Sequence, residues 1–296
     1  MVDLFDTSHS VLNKISDPLL DAHRISLYVK RDDLIDPEVS GNKWRKLKFN
    51  VLQCIQYKNE GILTFGGAYS NHLVATTAAC KKAGLKSVGV VRGDELNADS
   101  NETLKRCDEL GMYLHFVSRE EYNLRSERYY HEELLNEFPN LWVVPEGGAN
   151  YWGMIGCQEI LREIEQPFDR MVVAQGTTTT SCGILMGLTN GQSLSVVPVL
   201  KGYDSRGEMK QLFSKSGIDA EATEQLLSKA EVLDTFHFGG YAKYDDALIH
   251  FIREFHAKHQ IKLDHVYTGK VMFALLDQIK AGKYDGETIV FIHTGG

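Results

Sequence analysis

One lysine stands out for its company. Lys43 follows Ser40-Gly41-Asn42 at a helix start, and Lys43, Leu47, Val51 and Cys54–Ile55 recur at helical spacing. That spacing puts Lys43 on the apolar stripe and points Arg45 and Lys48 elsewhere. Burial disfavours an ammonium, and the same depression of pKa makes a lysine amine nucleophilic, fit to capture an aldehyde as a Schiff base. The alternative is a lysine whose stem covers apolar surface while its head reaches water.

A second stretch offers an anion cradle. The run Met171-Val172-Val173-Ala174 leads through Gln175-Gly176 and four threonines, Thr177 to Thr180, into Ser181-Cys182-Gly183-Ile184-Leu185-Met186-Gly187. A strand, a glycine–threonine loop and a helix start place free backbone N–H groups and hydroxyls where a phosphate monoester could sit. Neither GxxxxGK[ST] nor GxGxxG is present, which disfavours a P-loop and a dinucleotide site. A plain threonine N-cap is the structural alternative.

Two further junctions carry polar groups. Thr64-Phe65-Gly66-Gly67-Ala68-Tyr69 leads into Ser70-Asn71-His72 at a helix start, read either as ligand contacts or as a capped helix with a solvated histidine. Phe238-Gly239-Gly240-Tyr241 and Asp264-His265-Val266-Tyr267-Thr268-Gly269-Lys270 place tyrosines in glycine-flanked loops. Such tyrosines are usually packing residues with a wet hydroxyl, and only their company makes them acid–base candidates.

The elements that must position these groups alternate. Predicted strands are Ile62–Phe65, Ser87–Val91, Tyr113–Val117, Leu141–Val144, Met171–Ala174, Leu194–Leu200 and Thr288–Ile292. Helical patterns cover about 43–57, 70–83, 101–110, 120–136, 153–164, 180–189, 206–215, 245–259 and 270–281. This order predicts an α/β protein with parallel sheets covered by helices, divided near the turn-rich Pro145–Asn150 into four βα units and then three. In such sheets ligands bind at the carboxyl ends of strands, where every candidate group lies.

Composition narrows the partners. With 296 residues, a net charge of -8 and 24% charged residues, the chain reads as a globular protein whose partner is neither nucleic acid nor membrane. No apolar run is long enough to span a bilayer, and the start of the chain lacks a secretory pattern. The five cysteines, at 54, 80, 107, 157 and 182, form no CxxC pair, and the eleven histidines show no HExxH spacing. A metal site is therefore not expected, and the thiols read as reduced core residues of a cytoplasmic protein.

In order along the chain, KRDD, SGNKWRKL, FGGAYSNH, the GTTTT loop, GGY, DHVYTGK and FIHTGG resemble the pyridoxal-phosphate enzymes that include 1-aminocyclopropane-1-carboxylate deaminase and D-cysteine desulfhydrase. The resemblance runs from about residue 28 to the end. It implies a two-domain, three-layer α/β/α, tryptophan synthase β-like fold (fold type II). A large cofactor domain would comprise 1–50 and 153–296, and a small domain 51–152. It also implies pyridoxal 5'-phosphate as cofactor, with Lys43 forming the internal aldimine and Lys46 near the phosphate. Asn71 would bind the ring oxygen, and Gly176, Thr177, Thr178, Thr179 and Thr180 the phosphate. Ser70 would lie beside the lysine and substrate, with Asn71, His72 and Tyr241 also in reach of substrate, and Tyr241 and Tyr267 as the active-site tyrosines.

Departures from the resemblance bear on the reaction. The deaminase carries an acidic partner for the pyridine nitrogen where this chain has Thr268, so the ring is expected to be a weaker electron sink; Thr294 is a second candidate partner. That favours elimination of a good β-leaving group, giving an α-keto acid and ammonia, over opening a cyclopropane ring. Thr178 stands where many relatives carry glycine, and the chain stops at Gly295-Gly296 where relatives usually run on. The expectation is a D-cysteine desulfhydrase-like lyase acting on a small amino acid, with a homodimer implied by the resemblance. The rivals are cyclopropane-carboxylate deamination and a non-catalytic protein that binds pyridoxal phosphate or another phosphorylated ligand.

Overall fold

A computed structural model describes residues 6–39 and 41–295. Ser40 of the SGNKWRKL motif and Gly296 of the FIHTGG motif lie outside the described residues. The chain divides into two compact units, Met1–Asp6, Asp36–Val39 and Lys43–Gly156 in one, and Thr7–Ile35, Ser40–Asn42 and Cys157–Gly296 in the other.

The second unit's sheet makes neighbours of strands from opposite ends of the chain. Its strands are β1 (Leu12–Ile15), β2 (Ser26–Lys30), β7 (Arg170–Gln175), β8 (Ser193–Pro198), β9 (Ala230–Val232) and β10 (Thr288–Ile292), in the order β1-β2-β10-β7-β8-β9. The first unit holds β3 (Gly61–Gly67), β4 (Lys86–Arg92), β5 (Met112–Val117) and β6 (Leu141–Val144), in the order β5-β4-β3-β6. All pairs are parallel except β1 with β2. Parallel strands covered on both faces need unbroken apolar runs. Ile289 to Ile292 of β10 and Met171 to Val173 of β7 are accordingly fully buried.

Five helices carry or border the candidate groups: α1 (Asn42–Gln56), α2 (Asn71–Ala83), α3 (Thr179–Gly187), α4 (Asp246–His259) and α5 (Thr268–Lys280). In the first unit the chain leaves β3 toward β4 on one side, while β6 pairs on the other, so the turns after β3 and β6 flank a topological switch point. In the second unit β7 leads into α3 and β10 into His293-Thr294-Gly295.

All seven predicted strands exist, but β1, β2 and β9 add to them, and β1 is antiparallel where the alternation predicts only parallel pairing. The helical pattern at 120–136 is two pieces, Arg119–Tyr122 and Arg128–Glu137. Ser118 caps the first. Arg125, between them, binds Glu146 (Nε to Oε2, 2.7 Å), and its carbonyl meets His131 Nε2 at 2.7 Å. Tertiary contacts of one intervening residue therefore outweigh helix continuity.

Candidate active site

The lysine stripe differs from what periodicity predicts. Leu47, Val51 and Cys54 are fully buried, as the spacing requires, but Ile55 is exposed and Lys43 only half-buried. The deeply buried cations of α1 are instead Arg45 and Lys46, at 1% and 4% exposure. A long stem lets a cation lie along apolar surface on either side of the stripe.

In the first unit, β3 delivers its polar groups through glycine. A Cβ on Gly66 would stand 2.7 Å from Ser70 Oγ and 2.6 Å from Leu73 Cγ, so only glycine lets the turn fold back. Ser70 is the N-cap of α2, its hydroxyl accepting from Leu73 N. Asn71, at the first helical position, is exposed; His72 is buried.

The state of His72 follows from one chain of hydrogen bonds. Thr64 Oγ1 donates its single proton to the Val144 carbonyl (2.7 Å), so at 2.9 Å it can only accept from His72 Nε2. The imidazole is then the Nε2–H tautomer, and Nδ1 is a buried acceptor with no partner. Burial, reinforced by the charges of Lys46 and Lys43, pushes His72 down to about 3. The solvated histidine expected from the sequence is excluded, and so is a protonated one near neutrality. Gly148, in the turn after β6 at φ +69°, packs against both groups: its Cβ would lie 3.1 Å from Lys46 Cβ and 3.8 Å from His72 Cε1.

In the second unit, β7 ends in Gln175 and the loop enters α3 through Thr178. Thr178, Thr179 and Thr180 are buried, Thr177 exposed and Gly176 half-buried. The first turn of a helix lacks carbonyl acceptors for its N–H groups, so this start offers donors to an anion. Side chains add to it: Thr179 Oγ1, Ser181 Oγ and both amide atoms of Gln175 are buried without partners. Unpaired buried polar atoms of this kind are costly unless something else pairs with them. Hydroxyl donors beside free N–H groups fit a phosphate monoester.

The loop is tied to the start of α1. Asn42 Nδ2 donates to Thr180 Oγ1 (3.0 Å), and Asn42 N donates to the Thr294 carbonyl (3.1 Å). Gly41, at φ +59°, lies so close that a Cβ would sit 1.8 Å from that carbonyl oxygen. Lys43 is the next residue along the chain from this double anchor.

Tyr267 lies over the phosphate-type loop, since a Cβ on Gly176 would be 3.0 Å from Tyr267 Cε1. Tyr241 meets it edge-on, with ring centroids 6.1 Å apart at 73°. Burial, then the neighbouring Tyr241 hydroxyl, raises Tyr267 far above the usual phenol range, which keeps it a phenol and not a phenolate. Asp264, which residue patterns alone do not single out, organises this end of α5. Its carboxylate accepts from Val266 N (2.7 Å), Tyr267 N (2.6 Å), Thr268 N (2.9 Å) and Thr268 Oγ1 (2.5 Å). The one signal for it in the sequence is an aspartate just ahead of a helix start. Thr268, fully buried, also accepts from Asp264 N at 2.9 Å, so its one proton is committed and only a lone pair remains.

The arrangement in each unit fits a pyridoxal-phosphate enzyme: a helix-start anion cradle and two tyrosines in one, a lysine, serine and asparagine at helix starts in the other. The chain belongs to the pyridoxal-phosphate dependent enzyme family, whose model matches residues 14–295. Its fold is the tryptophan synthase β-like, fold type II arrangement, and pyridoxal 5'-phosphate is its cofactor. The chain is 34% identical over 278 residues to a candidate 1-aminocyclopropane-1-carboxylate deaminase of Pyrococcus horikoshii, covering 91% of this chain and 84% of that one. It is 30% identical over 293 residues to the bifunctional, mitochondrial D-cysteine desulfhydrase/1-aminocyclopropane-1-carboxylate deaminase of Arabidopsis thaliana, covering 91% of this chain and 72% of that one. Among solved structures, an ACC deaminase homologue superposes with a TM-score of 0.80 at 28% identity, over 99% of this chain and 91% of that chain.

Among the described residues, no helix is long and apolar enough to cross a membrane.

Proposed function

We propose that this enzyme eliminates the β-substituent of a small amino acid of D configuration, D-cysteine or a close analogue, releasing an α-keto acid and ammonia. The observation that carries the choice is Thr268. Its proton is committed to Asp264, and no acidic side chain stands at that position to hold a protonated pyridine nitrogen. A weakly held ring nitrogen suits a substrate whose leaving group departs readily. Bound pyridoxal phosphate supplies the electron sink for the substrate's α-carbon.

The residues divide the remaining work. Lys43 would hold the cofactor's aldehyde covalently, and its amine, when free, would be the base for the substrate's α-proton. The Gly176–Thr180 cradle, anchored through Thr180 to Asn42, is assigned the phosphate, and Lys46 a supporting charge. Asn71, exposed at the start of α2, would hold the ring oxygen, and Thr294 or Thr268 would be the partner of the ring nitrogen. Ser70 and Tyr267 hold or pass protons, and Tyr241 orients the substrate. His72 offers the Nδ1 lone pair as an acceptor to a substrate donor; it is too weak a base to remove a proton.

The second reading, cyclopropane-ring deamination, is favoured by the name of the Pyrococcus horikoshii relative. Purified protein loaded with pyridoxal phosphate separates the readings. It should be yellow, lose that colour in Lys43→Ala, and release keto acid and ammonia from D-cysteine or β-chloro-D-alanine. Vigorous turnover of 1-aminocyclopropane-1-carboxylate by the native protein would overturn the inference from Thr268, and colour without turnover of any amino acid would favour a binding role.

The protein's five cysteines are all free and buried, which supports a reducing, cytoplasmic setting. The homodimer implied by the resemblance is checked by light scattering across a dilution series; a monomer at every concentration would contradict it.

A further inference from the structure

Tyr241 sits on a backbone that should not hold its shape unaided. Phe238 (φ +53°), Gly239 (φ +92°), Gly240 (φ +126°) and Ala242 (φ +54°) all have positive φ, two of them without glycine's freedom. Tyr241 itself is exposed. The turn has some bonds of its own: Gly240 N donates to the His237 carbonyl (3.0 Å), Lys243 N to the Gly240 carbonyl (3.1 Å), and Gly239 N to His237 Nδ1 (2.9 Å). None of these ties it to the rest of the unit.

Lys270 does. This fully buried residue lies in the first turn of α5, three positions after Tyr267. Its Nζ donates to the His237 carbonyl and to the Gly240 carbonyl, both at 2.8 Å. One turn further along α5, Phe273 receives the Phe238 ring edge-on, with centroids 5.1 Å apart at 86°. Two consecutive turns of one helix thus grip both ends of the strained segment, and the helix that grips it is the one that starts beside Tyr267.

We infer that Lys270 is a positioning residue, a buried cation whose bonds to two converging carbonyls hold the Tyr241 loop in register with Tyr267. The inference rests on the reading of Tyr241 as a substrate-orienting group, but the tether itself can be measured without any substrate. An ammonium suits the task because it offers three protons from one point and satisfies two carbonyl dipoles that would otherwise repel each other. Its burial lowers its own tendency to stay charged, an effect that the nearby Asp264 opposes. Each carbonyl keeps one backbone partner when the lysine is removed, so the loop loses its anchor while the fold persists.

The test is amide hydrogen exchange on the cofactor-loaded protein, comparing Lys270→Met with the native chain. Exchange at Gly240 and Lys243 should accelerate at least about ten-fold while protection in β7 and β10 is retained. Unchanged protection at those two amides would overturn the tether. Lys270→Gln, whose amide can donate to at least one carbonyl, should fall between the two and serves if the methionine variant does not fold. Kinetics then test the link to Tyr241. If Lys270 acts through that residue, kcat/KM of Lys270→Met/Tyr241→Phe should match the worse single variant within about two-fold, not the product of both losses. Full additivity would overturn the positioning role. If Tyr241→Phe alone has native kcat/KM on every amino acid turned over, the substrate reading of Tyr241 fails, and the exchange data still decide the tether.

Discussion

The second unit contains two clusters of buried polar groups that behave in opposite ways. Around Lys30, every group is answered. Its Nζ bonds to Ser10 Oγ (2.6 Å) and to the Ser10 carbonyl, and pairs with Glu163 Oε2 (2.8 Å), while Ser10 Oγ donates to Asp32 Oδ1 at 2.6 Å. Beside it Arg31 binds Asp33 through two bonds of 2.8 and 2.7 Å, and Asp33 N donates to the His293 carbonyl (3.1 Å). Around the loop after β7, in contrast, Gln175, Thr179, Ser181 and the Asn42 Oδ1 have buried atoms with no partner. A saturated network costs nothing further and stabilises the fold; an unsaturated one carries a desolvation penalty that a ligand can remove. The saturated network thus marks the KRDD motif as scaffold, and the unpaired atoms support the ligand-binding role proposed for the GTTTT motif, although both weigh equally in a sequence resemblance.

The difference can be broken from either side. The largest effect on stability is expected from Lys30→Met, which takes the buried cation away from Glu163 and the Ser10–Asp32 pair and should cost about 3–5 kcal/mol. Denaturant unfolding should show this loss with little change in cofactor affinity for the fraction that folds. Gly41→Ala should act where the chain passes from one cluster to the other: a Cβ there meets the Thr294 carbonyl at 1.8 Å, in a backbone conformation that alanine resists. A loss of about 2 kcal/mol or more is expected, accompanied by weaker cofactor binding because Lys43 follows two residues later.

A smaller and pH-dependent effect should come from His72. Its folded pKa lies near 3, below the unfolded 6.5, so the unfolded chain binds the extra proton between those values. Stability contributed by the neutral ring is therefore fully present above about pH 6.5 and is lost progressively as the pH falls toward 3. Melting temperatures of His72→Gln should fall less steeply over that window than those of the native protein; parallel curves would contradict the buried, neutral assignment. The smallest effect concerns the thiols. Burial pushes Cys54 up to about 11 and Cys80 and Cys107 to about 12, so a thiol reagent at neutral pH should label none of them until denaturant is added.

How much of this was legible from residues alone varied with the physics involved. The central strands were, because apolar runs bounded by glycine carry their own signal, and β6 and β10 have the predicted limits Leu141–Val144 and Thr288–Ile292. The edges were not: β9 is three residues long and pairs with β8 at the sheet's edge, and β1 owes its extension to β2. The candidate phosphate loop was visible as a strand, a glycine and four hydroxyls. Burial of single side chains was harder. Helical periodicity placed Lys43 on the apolar stripe and pointed Arg45 away, whereas Arg45 and Lys46 are the buried cations, and the turn at Gly148 covers Lys46 and His72 from a segment remote in the chain. Asp264 and Lys270 stood in a recognisable motif without a role, because capping four donors or bridging two carbonyls is a property of three-dimensional convergence.

The most direct measurement is a pyridoxal phosphate titration of Thr179→Val and Ser181→Ala, followed by the yellow absorption of the loaded protein, beside the melting temperature of each variant without cofactor. If the unpaired hydroxyls await the cofactor's phosphate, affinity should fall about ten-fold or more for the loss of one charge-assisted hydrogen bond. The cofactor-free variants should be as stable as the native chain or slightly more so, since each substitution removes an unsatisfied buried group. Native affinity in both variants, with stability lost instead, would show these hydroxyls to be part of the scaffold and would contradict the contrast between the two clusters.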